Sequence, residues 1–164
     1  TAGNFAVYDP VLDTWTALGM MPTPVNHAAS GTDGEKLYVF GGRQGMNVPQ
    51  TGFDDVQVYD PVAGTWATSA AGQLAAMPLP RGGTGHAVFV DGEFYVMGGE
   101  DAVQAFGDVQ AYDPVTDTWR ADKAMPTARH GIYPVTFESR VHVFGGGLVS
   151  GFGFSTVSEV FSPR

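Results

Sequence analysis

Tyr59-Asp60-Pro61-Val62-Ala63-Gly64-Thr65-Trp66 decides the reading of this chain, because the phrase recurs on either side of it. Tyr8-Asp9-Pro10 leads to Trp15, and Tyr112-Asp113-Pro114 leads to Trp119, each Trp standing seven positions after its Tyr. Every Trp is followed by a Met-Pro pair (Met21-Pro22, Met77-Pro78, Met125-Pro126). Every Met-Pro is followed by a glycine pair that closes an apolar run: Gly41-Gly42, Gly98-Gly99 and Gly145-Gly146. Phe161-Ser162-Pro163 is a degenerate fourth copy of the opening phrase. The Tyr-to-Tyr offsets are 51 and 53 residues, with 49 more to Phe161. A period of about 50 residues marks a repeat architecture in which one supersecondary unit stacks on the next.

Each repeat reads as four strands, a to d. Strand b is the clearest, at 36–40, 93–97 and 140–144: short apolar runs rich in β-branched and aromatic residues, ended by glycines. Such continuous runs predict burial on both faces, as in a strand sandwiched between neighbouring sheets. Strand c alternates with period two at 56–59 and 109–112, and strand d opens on Thr-Trp. Strand a is weaker, near 27–31, 85–90 and 131–137. The Asp-Pro after strand c stops the ladder, since Pro has no N–H to donate and Asp favours a turn. No stretch carries helical periodicity. The a–b and c–d connections are short, whereas the b–c and d–a connections are long. In an up-and-down sheet the two long sets share one end, so that end is where variable loops carry function.

Composition removes several function classes. Lys and Arg number 8 against 17 Asp and Glu, a net charge of −9, which argues against nucleic acid and anionic membrane surfaces as partners. No Cys is present, which removes disulfides, thiolate catalysis and Cys-based metal sites while leaving the compartment open. No run approaches the ~18 apolar residues of a membrane helix. The first residue is Thr1 rather than Met, which reads as a processed or excised segment.

The combined motif is similar to the kelch repeat, a four-stranded blade with a glycine pair after its second strand, then Tyr-Asp, a Trp about seven residues later, and Met-Pro. The resemblance covers essentially the whole chain. It implies an all-β fold of kelch-type β-propeller blades around a central channel, with strand a innermost. It also implies that the glycine pair permits close backbone approach near the channel. The Tyr and Trp of each repeat, Tyr8, Trp15, Tyr59, Trp66, Tyr112 and Trp119, are then core between blades. The expected units are a partial blade at 1–19, blades at 20–70 and 71–122, and a partial blade at 123–164. Propellers close with ~4 to 8 blades, so about three repeats form a partial ring. It closes only with the remaining blades of a longer chain, or with a second copy of itself as a six-bladed dimer. In the dimer one strand c, at 5–9 or 157–161, is redundant.

The long-loop end supplies the candidate site. Arg43, Gln44, Met46 and Asn47 follow the first glycine pair; Glu100, Asp101 and Phe106 follow the second; Phe152 and Phe154 follow the third. Arg81 and Arg129 follow Met-Pro, where Val25 stands in the first repeat. The functional expectation is that Arg43, Arg81 and Arg129 bind an anionic group at the channel mouth, with Glu100 and Asp101 beside them and Phe106, Phe152 and Phe154 as apolar anchors. The plainer alternative is that the arginines brace neighbouring blades through carboxylates and carbonyls. His27, His86 and His130 all stand near the start of strand a and would ring the channel entrance. None has a carboxylate at ligand-like spacing, so neither a metal nor a cofactor is expected. Taken together these features predict a binding module for a protein or glycan partner. A sugar-acid epimerase-like enzyme, as the kelch resemblance also allows, and a purely structural propeller segment are the alternatives.

Overall fold

The computed structural model describes residues 3–45 and 52–164. Thirteen strands account for the regular structure among them. β1 (Ala6–Asp9) and β2 (Thr14–Ala17) form a two-stranded sheet. β3 (Ala29–Thr32), β4 (Leu37–Phe40), β5 (Val56–Asp60) and β6 (Thr65–Thr68) form the first complete blade. β7 (Val88–Val90), β8 (Glu93–Met97), β9 (Val109–Asp113) and β10 (Thr118–Asp122) form the second. β11 (Val135–Phe137), β12 (Arg140–Phe144) and β13 (Ser158–Phe161) make a three-stranded sheet. Every pairing is antiparallel between sequence neighbours. This is an open arc of propeller blades.

The repeated phrase has a repeated geometry. Tyr8, Tyr59 and Tyr112 sit opposite Trp15, Trp66 and Trp119 across their strand pairs. In the turn between, Asp60 Oδ1 accepts the N–H groups of Val62 and Ala63, both at 2.9 Å. Asp9 and Asp113 hold their turns the same way. The side chain thus accepts the N–H groups of the turn, while the Pro that follows it has no N–H with which to continue the ladder. In two of these turns a second carboxylate receives the Tyr hydroxyl: Tyr8 donates to Asp13 at 2.7 Å and Tyr112 to Asp117 at 2.8 Å.

The core lies between sheets. One cluster joins the two complete blades through Tyr38, Phe40, Val58, Phe94, Val96 and Tyr112. A second joins the latter blade to the three-stranded sheet through Tyr95, Met97, Val109, Ile132, Val143 and Phe161. Each fully buried Phe or Tyr removes apolar surface worth about 1.5–3 kcal/mol. Trp119 shows the inter-blade seat: its ring meets Phe40 edge-on at 5.6 Å, and its Nε1 donates to the Ala75 carbonyl at 3.2 Å. The glycine pairs are needed where blades converge, since a Cβ on Gly98 would stand 2.4 Å from the Arg129 carbonyl oxygen.

Two sequence expectations change. Burial on both faces holds for β8, but β4 and β12 alternate. Only β8 has a blade on either side of it. For the same reason Tyr8 and Trp15 are not core. Trp15 is 71% exposed, because no described residue covers it as Phe40 of the preceding blade and Ala75 cover Trp119.

Candidate functional site at the channel mouth

β3, β7 and β11 lie side by side along the inner edge of the arc. At the long-loop end of that edge, three equivalent backbone bridges join each d–a loop to the residue following the glycine pair: Asn26 with Arg43, Gly82 with Glu100, and His130 with Gly147. One repeat position therefore carries Arg43, Glu100 and Gly147 in successive blades, and another carries Asn26, Gly82 and His130. The next residue along is His27, Gly83 or Gly131, and all three have left-handed backbones, with φ of 55°, 68° and 63°. Two blades use glycine there, and the third holds a strained histidine.

These positions converge on a small charged cluster. Arg43 Nη1 donates to Glu100 Oε1 at 2.9 Å, and both side chains are buried. The other Glu100 oxygen accepts the Gly151 N–H at 2.6 Å. His130 Nδ1 lies 3.5 Å from Glu100 Oε1, and its Nε2 lies 3.0 Å from the Val149 carbonyl. A carbonyl can only accept, so Nε2 carries the proton. Gly147 makes room for that ring, because a Cβ there would fall 2.2 Å from Nε2. His27 Nδ1 sits 2.7 Å from Asn26 Oδ1, so it is the donor and leaves Nε2 as an acceptor. Desolvation, helped by Arg43 and His130 and opposed by Glu100, pushes the His27 imidazole below its ordinary value and favours the neutral ring. His27, Arg43, Glu100, His130 and Phe152 line a cavity of about 310 Å³ with glycine backbone between them.

The other expected site residues are placed as follows. Arg81 is fully buried; its Nη1 donates to the Gly98 carbonyl at 2.7 Å and the Asp108 carbonyl at 3.1 Å. Its guanidinium lies 5.4 Å from the centre of the Phe106 ring, which is itself buried. Burial pushes the Arg81 pKa down to about 10. Arg129, also fully buried, donates to the Gly145 and Val157 carbonyls and to Glu159 Oε2 at 2.8 Å. Arg81 and Arg129 thus brace carbonyls of the chain itself, Arg129 with Glu159 as well, and Arg43 alone of the three lines the cavity. Asp101 closes its own loop, accepting the N–H groups of Val103 and Gln104 at 2.7 and 2.8 Å. Phe152 and Phe154 are 97% and 93% exposed. Their loop is nonetheless tied down, since Ser150 Oγ donates to the Asp101 carbonyl at 2.6 Å. Met46 and Asn47 lie outside the described residues.

The three histidines do not form a ring. His27 and His130 reach the mouth from different repeat positions, whereas His86 bonds the Pro134 carbonyl at 2.9 Å and lines separate clefts. Among the described residues no three His, Asp or Glu are placed to share a metal ion.

Four-stranded antiparallel blades, inner edges side by side and loops gathered at one end, define a β-propeller segment. A family model for the KLHDC2/KLHL20/DRC7 Kelch-repeats domain matches residues 3–146, and the chain belongs to the kelch-repeat family. It is 31% identical to Kelch-like protein terF of Aspergillus terreus over 99% of this chain and 35% of that protein. It is 29% identical to Kelch-like protein 35 of Mus musculus, over 85% of this chain and 22% of the other. An N-(sulfonatooxy)prop-2-enimidothioate sulfolyase of Thlaspi arvense is 31% identical over 78% of this chain and 37% of its own. The chain therefore spans about a third of the length of terF and less of Kelch-like protein 35.

Proposed function

We propose that the chain is an interaction module that offers its b–c and d–a loops to a protein partner. The observation that carries this reading is the pairing of Phe152 and Phe154, almost fully exposed, with a loop already fixed by Gly151, Ser150 and His130. Large apolar side chains held out on a rigid support bind with little ordering cost, and they are the kind of anchor that dominates interface energy. Arg43, two blades away, lines the same cavity as Phe152. Relatives named Kelch-like proteins support an interaction role at the coarse level. The test is to select random peptides on phage against the chain and against F152S/F154S. Selected peptides that bind both proteins equally contradict the reading; peptides lost with the double variant support it.

A second reading concerns the open arc. Trp15 is exposed while its repeat partner Trp119 is seated on Ala75 and Phe40. The stretch equivalent to 75–78 in the next blade is 123–126, and it lines an unfilled cleft of about 190 Å³ together with Phe161. We propose that further blades cover both open faces, from flanking sequence or from a second copy. Light scattering separates the sources: about twice 17.3 kDa marks a second copy. Association relieved only by added flanking sequence marks a longer chain. A stable, well-folded monomer contradicts both.

A further inference from the structure

The hydrogen-bonding valences of the mouth cavity select a class of small ligand. Glu100 has both oxygens engaged, by Arg43 on one and Gly151 on the other, with His130 close to the first. Arg43 uses Nη1 for that contact, and its other two nitrogens have no hydrogen bond to any described residue. His27 presents Nε2 as an acceptor, because Nδ1 is committed to Asn26. The cavity thus has guanidinium donors and one imidazole acceptor among its lining. Its two formal charges, on Arg43 and Glu100, cancel, and the chain as a whole carries −9. A free anion meets no net attraction here and cannot donate to His27 Nε2.

We infer that this cavity binds a neutral polyol ring, such as a monosaccharide unit, through adjacent hydroxyl groups. One hydroxyl accepts from Arg43 while its neighbour donates to His27 Nε2, a pairing that a carboxylate cannot make and that vicinal hydroxyls make naturally. The bare backbone at Gly83, Gly131, Gly151 and Gly153 leaves room for a ring, and Phe152 stands at the rim as an apolar face for its C–H groups. A cavity of about 310 Å³ suits a single small ring. His27 is a costlier occupant of its position than glycine: its backbone is left-handed where Gly83 and Gly131 serve in the other blades. A left-handed side chain kept at a cavity wall, where glycine serves in the other blades, fits a role in contact.

The inference rests on the reading of this loop face as the binding face, and its test keeps the two apart. Methyl α-mannopyranoside, methyl β-galactopyranoside and myo-inositol are titrated against the chain by saturation-transfer NMR, with acetate and benzoate as anionic comparators. At least one polyol should bind, on the order of millimolar, and H27G should weaken it roughly five- to tenfold, the worth of one neutral hydrogen bond. H27G should melt no lower than wild type, so the loss cannot be assigned to misfolding. Anions binding in place of polyols, polyols binding H27G as well as wild type, or no polyol binding at all would each overturn the inference. Loss of peptide binding in F152S/F154S would still stand in those cases, and its absence would count against the loop face alone.

Discussion

Trp119→Ala and Trp15→Ala remove the same side chain from the same repeat position in different surroundings. Trp119 packs on Tyr112 at 4.8 Å and on Phe40 at 5.6 Å, and its Nε1 bonds the Ala75 carbonyl at 3.2 Å. Truncating a fully buried Trp costs about 3–5 kcal/mol. Trp119 is half-buried, so the area lost is smaller, but its hydrogen bond adds about 1 kcal/mol. The expected destabilisation is about 3 kcal/mol, a large share of the ~5–15 kcal/mol that holds a domain together. Trp15 is 71% exposed and touches mainly Tyr8, so its removal should stay within ~0.5 kcal/mol. Urea unfolding, followed by far-ultraviolet circular dichroism and by the fluorescence of the remaining tryptophans, gives both numbers. A neutral W119A would refute the inter-blade seat. A W15A as costly as W119A would show that the open sheet is covered in solution.

Three further outcomes follow from named contacts. Arg81→Met leaves the Gly98 carbonyl buried without its 2.7 Å donor, while the Asp108 carbonyl keeps the Gly98 N–H. The cost should be about 2 kcal/mol in urea, and no loss would free Arg81 for a ligand. His27→Gly should stabilise by up to ~1 kcal/mol, since left-handed strain outweighs the added chain entropy; a lower melting temperature would contradict the strain. Glu93 is held below the usual carboxylate range first by Arg120 and then by the Tyr95 hydroxyl, against desolvation. A depressed folded pKa adds stability that is present above the unfolded value of ~4.3 and lost as pH falls through the folded one. The drop in urea midpoint on acidification should therefore be smaller in E93Q than in wild type, and an equal drop would contradict the pairing.

The repeat phrase made strands b, c and d legible because each is bounded by residues with one physical meaning. Glycine pairs end b, Asp-Pro ends c, and Thr-Trp opens d opposite Tyr. Strand a was harder to place. It begins two to four residues later than its apolar pattern suggests, because the left-handed residues His27, Gly83 and Gly131 precede it. The d–a loops also differ in length, so His27, His86 and His130 all look like the start of strand a yet occupy different positions, six, nine and five residues after Met21, Met77 and Met125. The cluster itself had a signal in the sequence. Arg43, Glu100 and Gly147 each follow a glycine pair directly, and that shared position is what brings an arginine and a carboxylate from adjacent blades together. No comparable signal marks the exposure of Tyr8 and Trp15, which depends on a facing blade such as the one that covers Tyr112 and Trp119 rather than on the residues themselves.

Amide hydrogen exchange, with and without the best peptide selected on the chain, tests most directly the claim that function resides at the long-loop end. The account predicts slowed exchange at 43–45, 100–106 and 148–154, around Arg43, Glu100 and Phe152. Slowing confined to the c–d turns at 10–13, 61–64 and 114–117, at the opposite end of the blades, would contradict it.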